Sequence, residues 1–172
     1  MAETRILSVI GGKGAGKTTL VVALAAEFVR KGRRVMTIGP GNPPVSRRTD
    51  PQDPFFDGKV ERALVIAPEY GLLYLRSPDL KDPVALARTH LQGADLVIVE
   101  GFPEAPLPKI EVFRRGSGRT PLYDPAASNA SEWLAIVTDE DRFEAPVPVL
   151  RFHDTMWLHL LANMAWDRAR PL

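Results

Sequence analysis

Apolar residues recur along this chain in short unbroken runs and in longer stretches with helical spacing. The short runs are rich in Val, Ile and Leu and are bounded by Gly, Pro or Asp, a pattern typical of strands. They predict strands at residues 5–10, 34–38, 94–100, 109–113, 133–137 and 147–152, and a hairpin or two neighbouring strands at 63–67 and 72–75.

Three longer stretches predict helices between these strands. The first runs from residue 18 to 29 and ends before Lys31 and Gly32, a cationic last turn followed by a glycine stop. Asp82 before Pro83 opens the second helix, which extends to about residue 91. Asp154 is the expected cap of the last helix. Five apolar residues are predicted on one face of that helix: Met156, Trp157, Leu160, Leu161 and Met164.

Strands that alternate with helices predict a three-layer α/β domain, with a mostly parallel β-sheet flanked by helices. The unbroken apolar run at residues 96–99 suits a central strand that is covered on both faces. No linker divides the 172 residues, so we expect a single domain over residues 1–172. Two polar loops rich in Gly and Pro, at 39–58 and 116–129, are long enough to be functional.

The first predicted strand and helix are joined by Gly-Gly-Lys-Gly-Ala-Gly-Lys-Thr at residues 11–18. This sequence completes the pattern G-x-x-x-x-G-K-[ST], and strand, glycine loop and helix together indicate the phosphate cradle of a P-loop NTPase fold. Backbone N–H groups would surround the phosphates, Lys17 would reach the β- and γ-phosphates, and Thr18 would ligate Mg²⁺. The motif assigns nucleoside triphosphate binding to Gly11, Gly12, Lys13, Gly14, Ala15, Gly16, Lys17 and Thr18.

A carboxylate at the end of a second apolar strand commonly orients Mg²⁺ or the attacking water in P-loop proteins. Glu100 ends the run Leu-Val-Ile-Val and precedes Gly101, at the sheet edge where α/β proteins bind ligands. We therefore predict Lys17 and Glu100 as the catalytic residues, and Thr18 with Glu100 as the Mg²⁺ ligands.

The role of two further groups of polar residues can be interpreted in more than one way from their spacing alone. Alternation places Lys109, Glu111 and Phe113 on one face of a strand, and such a Lys/Glu alternation is usually a solvated face. Asp139 follows Thr138 at the end of a later strand. An Asp at that position can accept both N–H groups of guanine, although Asp after a strand is also an ordinary turn residue.

Composition and charge exclude several classes of function. The formal net charge of +1 gives no reason to expect nucleic acid or an anionic membrane as a partner. The absence of cysteine excludes disulfides, thiolate zinc sites and a cysteine nucleophile, and the three histidines lack metal-ligand spacing. No apolar run approaches ~20 residues, and the first strand begins too soon for a signal peptide. These features predict a cytoplasmic protein.

Three motifs together resemble the family of molybdopterin-guanine dinucleotide biosynthesis protein B (MobB). The glycine loop, Val-Glu-Gly-Phe at residues 99–102 and Pro-Lys-Ile-Glu-Val-Phe-Arg at 108–114 stand at about the separation found in that family. The match is specific over residues 11–20 and 95–115. The chain departs from the family at residues 39–42, where Gly-Pro-Gly-Asn replaces a histidine-rich stretch, and at Pro103, where lysine is frequent.

The resemblance implies a GTP-binding protein of molybdenum cofactor biosynthesis that uses Mg²⁺, hydrolyses GTP weakly and forms homodimers. It also implies support of a partner protein, the molybdopterin guanylyltransferase that attaches GMP to molybdopterin. Under this resemblance Thr19 joins the residues that hold phosphates and Mg²⁺, and Lys109 and Arg114 lie near the nucleotide or the pterin phosphate. With guanine as the base, Asp139 becomes the residue that reads it.

The sequence leaves other functions open. A P-loop small-molecule kinase or ATP-dependent ligase would use Lys109 and Arg114 to hold an acidic substrate. A non-catalytic switch would use the nucleotide to order the 39–58 loop for a partner. A nickel-type metallochaperone GTPase shares the P-loop, but the absence of cysteine and of a histidine cluster argues against it.

Overall fold

The computed structural model describes residues 3–40, 62–66, 71–75, 81–117 and 120–172. The chain divides into two compact units, Met1–Pro40 with Pro83–Leu172, and Gly41–Asp82. The expectation of one nucleotide-binding domain over residues 1–172 stays a prediction, and most of the predicted loop at 39–58 lies outside the described residues.

The described residues form nine strands and three α-helices. The strands are β1 (Arg5–Gly11), β2 (Val35–Ile38), β3 (Arg62–Ile66), β4 (Gly71–Leu75), β5 (Leu96–Glu100), β6 (Lys109–Phe113), β7 (Trp133–Thr138), β8 (Val149–Arg151) and β9 (Arg170–Pro171). The helices are α1 (Lys17–Arg30), α2 (Pro83–His90) and α3 (Trp157–Arg168). None of them is long and apolar enough to cross a membrane.

Seven strands of the larger unit form one sheet, six of them in the order β2-β5-β1-β6-β7-β8. Every neighbouring pair in this order is parallel, and β9 pairs antiparallel with β1. The predicted mostly parallel sheet is therefore confirmed. The short β9 was not predicted, because two residues that include a proline carry no strand periodicity.

Helices cover both faces of this sheet, since alternate residues of β1 point to opposite sides. Leu7 packs in a cluster with Leu24 of α1 and Leu161 of α3. Its neighbour Ile6 packs in a second cluster with Ala87 of α2. This arrangement confirms the predicted three-layer α/β fold.

The register of the central strands sets the position of the glycine loop. Val9 lies opposite Glu100 of β5, and Gly11 lies opposite Val112 of β6. The carboxyl ends of three neighbouring strands therefore meet at one edge, which is where ligands bind in open α/β sheets. The loop that follows β1 begins at this edge.

The smaller unit contains the described hairpin of β3 and β4. The two strands are antiparallel, with Arg62 opposite Leu75 and Ile66 opposite Gly71. The sequence left open a hairpin or two neighbouring strands, and the antiparallel pairing selects the hairpin.

The beginning of α3 differs from the prediction. Asp154 does not cap the helix, because its Oδ2 accepts the backbone N–H of Arg151 at 3.1 Å. The residue before the helix is Met156, with φ 65°. The predicted apolar face is also wrong in part: Met156 and Leu160 are exposed, and the helix buries Leu161, Ala162 and Ala165.

Candidate functional site

The glycines between β1 and α1 adopt backbone conformations that other residues rarely reach. Gly11, Gly14 and Gly16 have φ values of 145°, 79° and 99°. A Cβ on Gly11 would also lie 2.3 Å from the carbonyl oxygen of Val112 in the neighbouring strand. The first glycine of the motif is therefore required by the close approach of two strands, and all three allow the loop to curl.

The start of α1 offers backbone donors to an anion. Gly16 is the N-cap residue, and within the described part of the chain no side chain caps the helix and no acidic residue occupies its first turn. The first N–H groups of a helix lack intrahelical partners and carry the positive end of its dipole. A phosphate group fits this environment.

Lys17 is the first residue of α1, and its side chain folds back over the loop. Its Nζ donates a hydrogen bond to the carbonyl oxygen of Gly12 at 2.9 Å. The ammonium group is half-buried and lies against the backbone that would surround the phosphates. The role of Lys17 as a point charge for the phosphate chain stays a prediction.

Thr18 and Glu100 come together beside the loop. The Thr18 hydroxyl donates a hydrogen bond to Glu100 Oε1 at 2.8 Å. A hydroxyl and a carboxylate are the hard oxygen ligands that Mg²⁺ prefers, and one or two such groups suffice when phosphates supply the rest. The residues present therefore fit the predicted Mg²⁺.

The surroundings of Glu100 include a residue that sequence reasoning missed. A Cβ on Gly39, just after β2, would lie 3.4 Å from Glu100 Cβ and 3.7 Å from its Oε2. On the other side, Gly101 and Phe102 have φ values of 92° and 57°, so the chain turns sharply after the carboxylate. The family resemblance pointed to residues 39–42 only because a histidine-rich stretch is missing there. The contact between Gly39 and Glu100 depends on the pairing of β2 with β5, which the sequence did not predict.

Arg114 contacts the same loop. Its Nε donates to the carbonyl oxygen of Ala15 at 3.1 Å, and its Nη1 lies 3.5 Å from Asp139 Oδ2. Its Cζ is 4.2 Å from the centre of the Phe152 ring. Phe152 follows β8, and no signal in the sequence linked it to the loop.

Asp139 is held at the end of β7 by two arginines. The backbone N–H of Arg115 donates to its Oδ1 at 2.9 Å, and this hydrogen bond lowers the pKa of the Asp139 carboxyl below its usual range. The neighbouring Arg114 guanidinium lowers the pKa further. Asp139 is therefore ionised at neutral pH and can accept hydrogen bonds.

Lys109 lies elsewhere. It is the first residue of β6 and lies opposite Ser8 of β1, which is three residues before Gly11. Its side chain is fully buried. Its Nζ donates to the carbonyl oxygens of Ala105 and Leu107 at 2.8 and 3.1 Å and to the Glu132 carboxylate. The structure does not bring this ammonium group to the phosphate loop.

Glu111 is also buried, at 1% exposure, so the solvated face expected from the Lys/Glu alternation is wrong. Its carboxylate accepts the backbone N–H groups of Leu122 and Tyr123 and the indole N–H of Trp133, at 2.6 to 3.0 Å. The alternation is correct, but β7 and the chain segment before it cover the face that carries these charges. Lys109 and Glu111 therefore attach residues 122–132 to the sheet.

Most of the predicted site residues gather at one edge of the sheet. The loop from Gly11 to Thr19 lies there with Glu100, Arg114 and Asp139, whereas Lys109 stands apart. Arg114 is joined to the loop by its hydrogen bond to the Ala15 carbonyl oxygen, and Glu100 is joined to it by the hydrogen bond from Thr18.

A comparison with models of protein families finds a match over most of the chain. The family model described as "Molybdopterin guanine dinucleotide synthesis protein B" (MobB) matches residues 6–139. No individually curated protein matches the chain.

Solved structures agree with the family match. A MobB protein homolog from Bacillus stearothermophilus is 25% identical, with a TM-score of 0.64 over 95% of this chain and 99% of that chain. A molybdopterin-guanine biosynthesis protein B is 20% identical, with a TM-score of 0.66 over 94% and 98% of the two chains. MobB of Bacillus subtilis is 18% identical, with a TM-score of 0.65 over 93% and 97%.

Proposed function

Because this chain belongs to the MobB family, whose members take part in molybdopterin guanine dinucleotide synthesis, we propose that it binds GTP and acts as an accessory protein in molybdenum cofactor biosynthesis. One observation carries the proposal: a glycine loop with uncapped backbone donors lies beside the hydrogen-bonded pair of Thr18 and Glu100. The first element suits phosphates and the second suits Mg²⁺.

The loop and the start of α1 hold the phosphate chain in this proposal. Backbone N–H groups of the glycine loop and of Thr19 donate to phosphate oxygens, and the Lys17 ammonium neutralises their charge. Thr18 and Glu100 hold Mg²⁺, which when bound polarises the phosphate oxygens. Glu100 also orients a water molecule for slow hydrolysis.

Asp139 provides the guanine preference. Its carboxylate is ionised, and a carboxylate can accept two N–H groups of one guanine edge. Arg114 donates a hydrogen bond to the Ala15 carbonyl oxygen and lies 3.5 Å from Asp139 Oδ2, so one side chain contacts both the candidate base site and the glycine loop. This proximity supports one ligand that spans both.

The remaining parts of the proposal rest on family membership. They are a homodimer, a location in the cytoplasm, and cooperation with the guanylyltransferase that joins GMP to molybdopterin. Neither nucleic acid nor a membrane is a partner in this proposal, in line with the net charge of +1.

The kinase or ligase alternative is weakened by the position of Lys109. That reading needs Lys109 and Arg114 together as a cationic surface for an acidic substrate. Lys109 is fully buried, and its ammonium group already donates to two carbonyl oxygens and a carboxylate. It has no surface to offer a substrate.

Calorimetric titration of the purified protein with GTP, GDP and ATP, each with Mg²⁺, tests the proposal. Selective binding of the guanine nucleotides, with slow phosphate release from GTP, is the expected result. A clear preference for ATP would favour the kinase or ligase instead. Absence of binding to all three nucleotides would refute a nucleotide site in this chain.

A further inference from the structure

We propose that Arg114 is the platform on which the nucleotide base stacks, held in plane by Phe152, and that it does not bind the phosphates. This inference rests on the proposed function and assigns Arg114 to one part of that ligand. The family resemblance left two places for Arg114, the nucleotide and a pterin phosphate. Three contacts of its guanidinium select the base.

The first contact is the hydrogen bond from Arg114 Nε to the carbonyl oxygen of Ala15, at 3.1 Å. In a trans peptide the C=O and the N–H of the next residue lie in one plane and point in opposite directions, so the Gly16 N–H points away from the side of the backbone where the Ala15 carbonyl oxygen lies. If the Gly16 N–H donates to a phosphate, Arg114 lies on the far side of the loop backbone. Its Nη2 would be 3.6 Å from a Cβ on Gly16, so the guanidinium lies against the loop backbone at this peptide.

The second contact is with Phe152. The guanidinium carbon lies 4.2 Å from the centre of the ring, a distance typical of a cation stacked on an aromatic face. Phe152 is itself supported by Trp157, whose ring packs edge-on at 5.3 Å. The planar cation is thus pre-oriented, while 40% of the Arg114 side chain stays exposed. A planar guanidinium in this state is a stacking surface for a nucleobase.

The third contact is with Asp139, whose Oδ2 lies 3.5 Å from Arg114 Nη1. Stacking fixes the plane of a base but does not distinguish one base from another. A carboxylate beside the edge of the base accepts hydrogen bonds only from bases that carry N–H groups on that edge. A base that rests on Arg114 presents its edge toward Asp139. The two residues therefore divide the task, with Arg114 holding the base and Asp139 reading it.

The test compares GTP with inorganic tripolyphosphate, which has the phosphate chain and no base. Dissociation constants of both are measured with Mg²⁺ by competition against a fluorescent GTP analogue, for the wild type and Arg114→Ala. We expect GTP to bind roughly 5- to 100-fold more weakly to the variant, the range for loss of one stacking partner. Tripolyphosphate affinity should be unchanged.

Arg115→Ala is the matched control, because that neighbouring side chain is 79% exposed and contacts Glu140 instead. It keeps the backbone N–H that binds Asp139, and it should bind both ligands as the wild type does. Equal weakening of GTP and tripolyphosphate in Arg114→Ala would overturn the proposal and assign Arg114 to the phosphates. A wild type that binds neither ligand would instead refute the proposed function and this inference with it.

Variants of Phe152 provide a second, independent test, because in the proposal Phe152 positions Arg114 and need not touch the nucleotide. Phe152→Leu removes the ring under the guanidinium and should weaken GTP binding without changing tripolyphosphate binding. Phe152→Tyr keeps the ring and should retain wild-type affinity. Wild-type GTP affinity in a folded Phe152→Leu protein would contradict the platform.

Discussion

The hydroxyl of Thr18 donates a hydrogen bond to Glu100 Oε1 at 2.8 Å, although 82 residues separate them in the chain. The contact exists because β1 and β5 are neighbouring parallel strands that end at the same edge of the sheet. Thr18 follows the loop after β1, and Glu100 is the last residue of β5. Two residues from distant motifs are thereby placed where one Mg²⁺ could bind both.

This pair predicts a selective loss of Mg²⁺ dependence. Thr18→Val removes the hydroxyl and keeps the shape of the side chain, so the metal loses one ligand. We expect Mg²⁺ to bind the GTP complex about 10- to 100-fold more weakly, the usual effect of removing support from a metal site. Calorimetric GTP titrations across Mg²⁺ concentrations measure this loss. Thr37→Val changes an exposed threonine of β2 and should leave the Mg²⁺ dependence intact; an equal effect in both variants would contradict the assignment.

Lys17→Ala should abolish GTP binding and leave the protein folded. The ammonium group makes one hydrogen bond to its own loop, through the Gly12 carbonyl, so its loss should cost the fold about 1 kcal/mol or less. Calorimetry measures the affinity and circular dichroism measures the thermal midpoint. Lys31→Ala, at the other end of α1, is the control that should retain GTP binding. Unchanged GTP affinity in Lys17→Ala would refute the phosphate site.

Two glycines of the loop should differ in their tolerance of alanine. Gly11→Ala combines positive φ with a Cβ 2.3 Å from the Val112 carbonyl oxygen, so we expect a loss of about 2–4 kcal/mol in unfolding free energy. Gly14→Ala has the positive φ, and among the described residues no atom beyond its chain neighbours lies within 4 Å of its Cβ, so it should lose about 1–2 kcal/mol. Urea denaturation of both variants measures the difference. Equal losses would show that the strand contact is not the deciding factor.

Lys109→Met should destabilise the protein without changing GTP affinity. The variant leaves two carbonyl oxygens and the partly buried Glu132 carboxylate without their cation, which should cost about 2–4 kcal/mol of unfolding free energy. Adding Glu132→Leu should recover part of this loss, because the unpaired charge is then removed. Urea denaturation and GTP titration measure the two effects, with Lys81→Met, an exposed lysine, as the control. Weaker GTP binding by the folded Lys109→Met protein would return Lys109 to the nucleotide site.

Asp139 should make a contribution to stability that depends on pH. Its carboxyl pKa is lowered from the usual 3.8, first by the Arg115 backbone N–H and then by Arg114. The stabilisation is therefore complete above about pH 4 and is lost as the pH falls through the lowered pKa of the folded state. Because the carboxyl is more than one-third exposed, we expect this stabilisation to be about 0.2–1 kcal/mol. Urea denaturation of wild type and Asp139→Asn from pH 7 to pH 3 should show a stability difference that is constant at first and shrinks below pH 4. A difference that grows at acid pH would contradict the sign.

The conformation of the glycine loop and the sheet class could be predicted from the sequence because both depend on local chemistry. Gly11, Gly14 and Gly16 are needed for the φ values of the loop wherever it occurs, and the apolar run that ends at Glu100 requires burial on both faces. Parallel strands of similar length also end at the same edge of a sheet, because each residue advances every strand by about the same distance. The resemblance to MobB, carried by these same motifs, agrees with the family match over residues 6–139.

The burial of the charged residues in β6 could not be predicted in this way. Alternation correctly assigns Lys109 and Glu111 to one face, but it carries no information on what covers that face. The cover comes from Glu132, Trp133 and the backbone of residues 122–123, which are folded onto it by β7. Burial of a charge is a property of its neighbours, and those neighbours lie 11 to 23 residues away in the chain.

The sequence by itself determined the fold class, the phosphate loop and the carboxylate at the end of β5, because backbone conformation and strand burial follow from residues close in the chain. Only the tertiary structure decided that Arg114 joins Ala15, Asp139 and Phe152, and that Lys109 does not join them. Side-chain contacts across strands depend on sheet order and register, which no local pattern encodes. Packing therefore decided which side chains meet beside the glycine loop, whereas the motif decided the conformation of the loop itself.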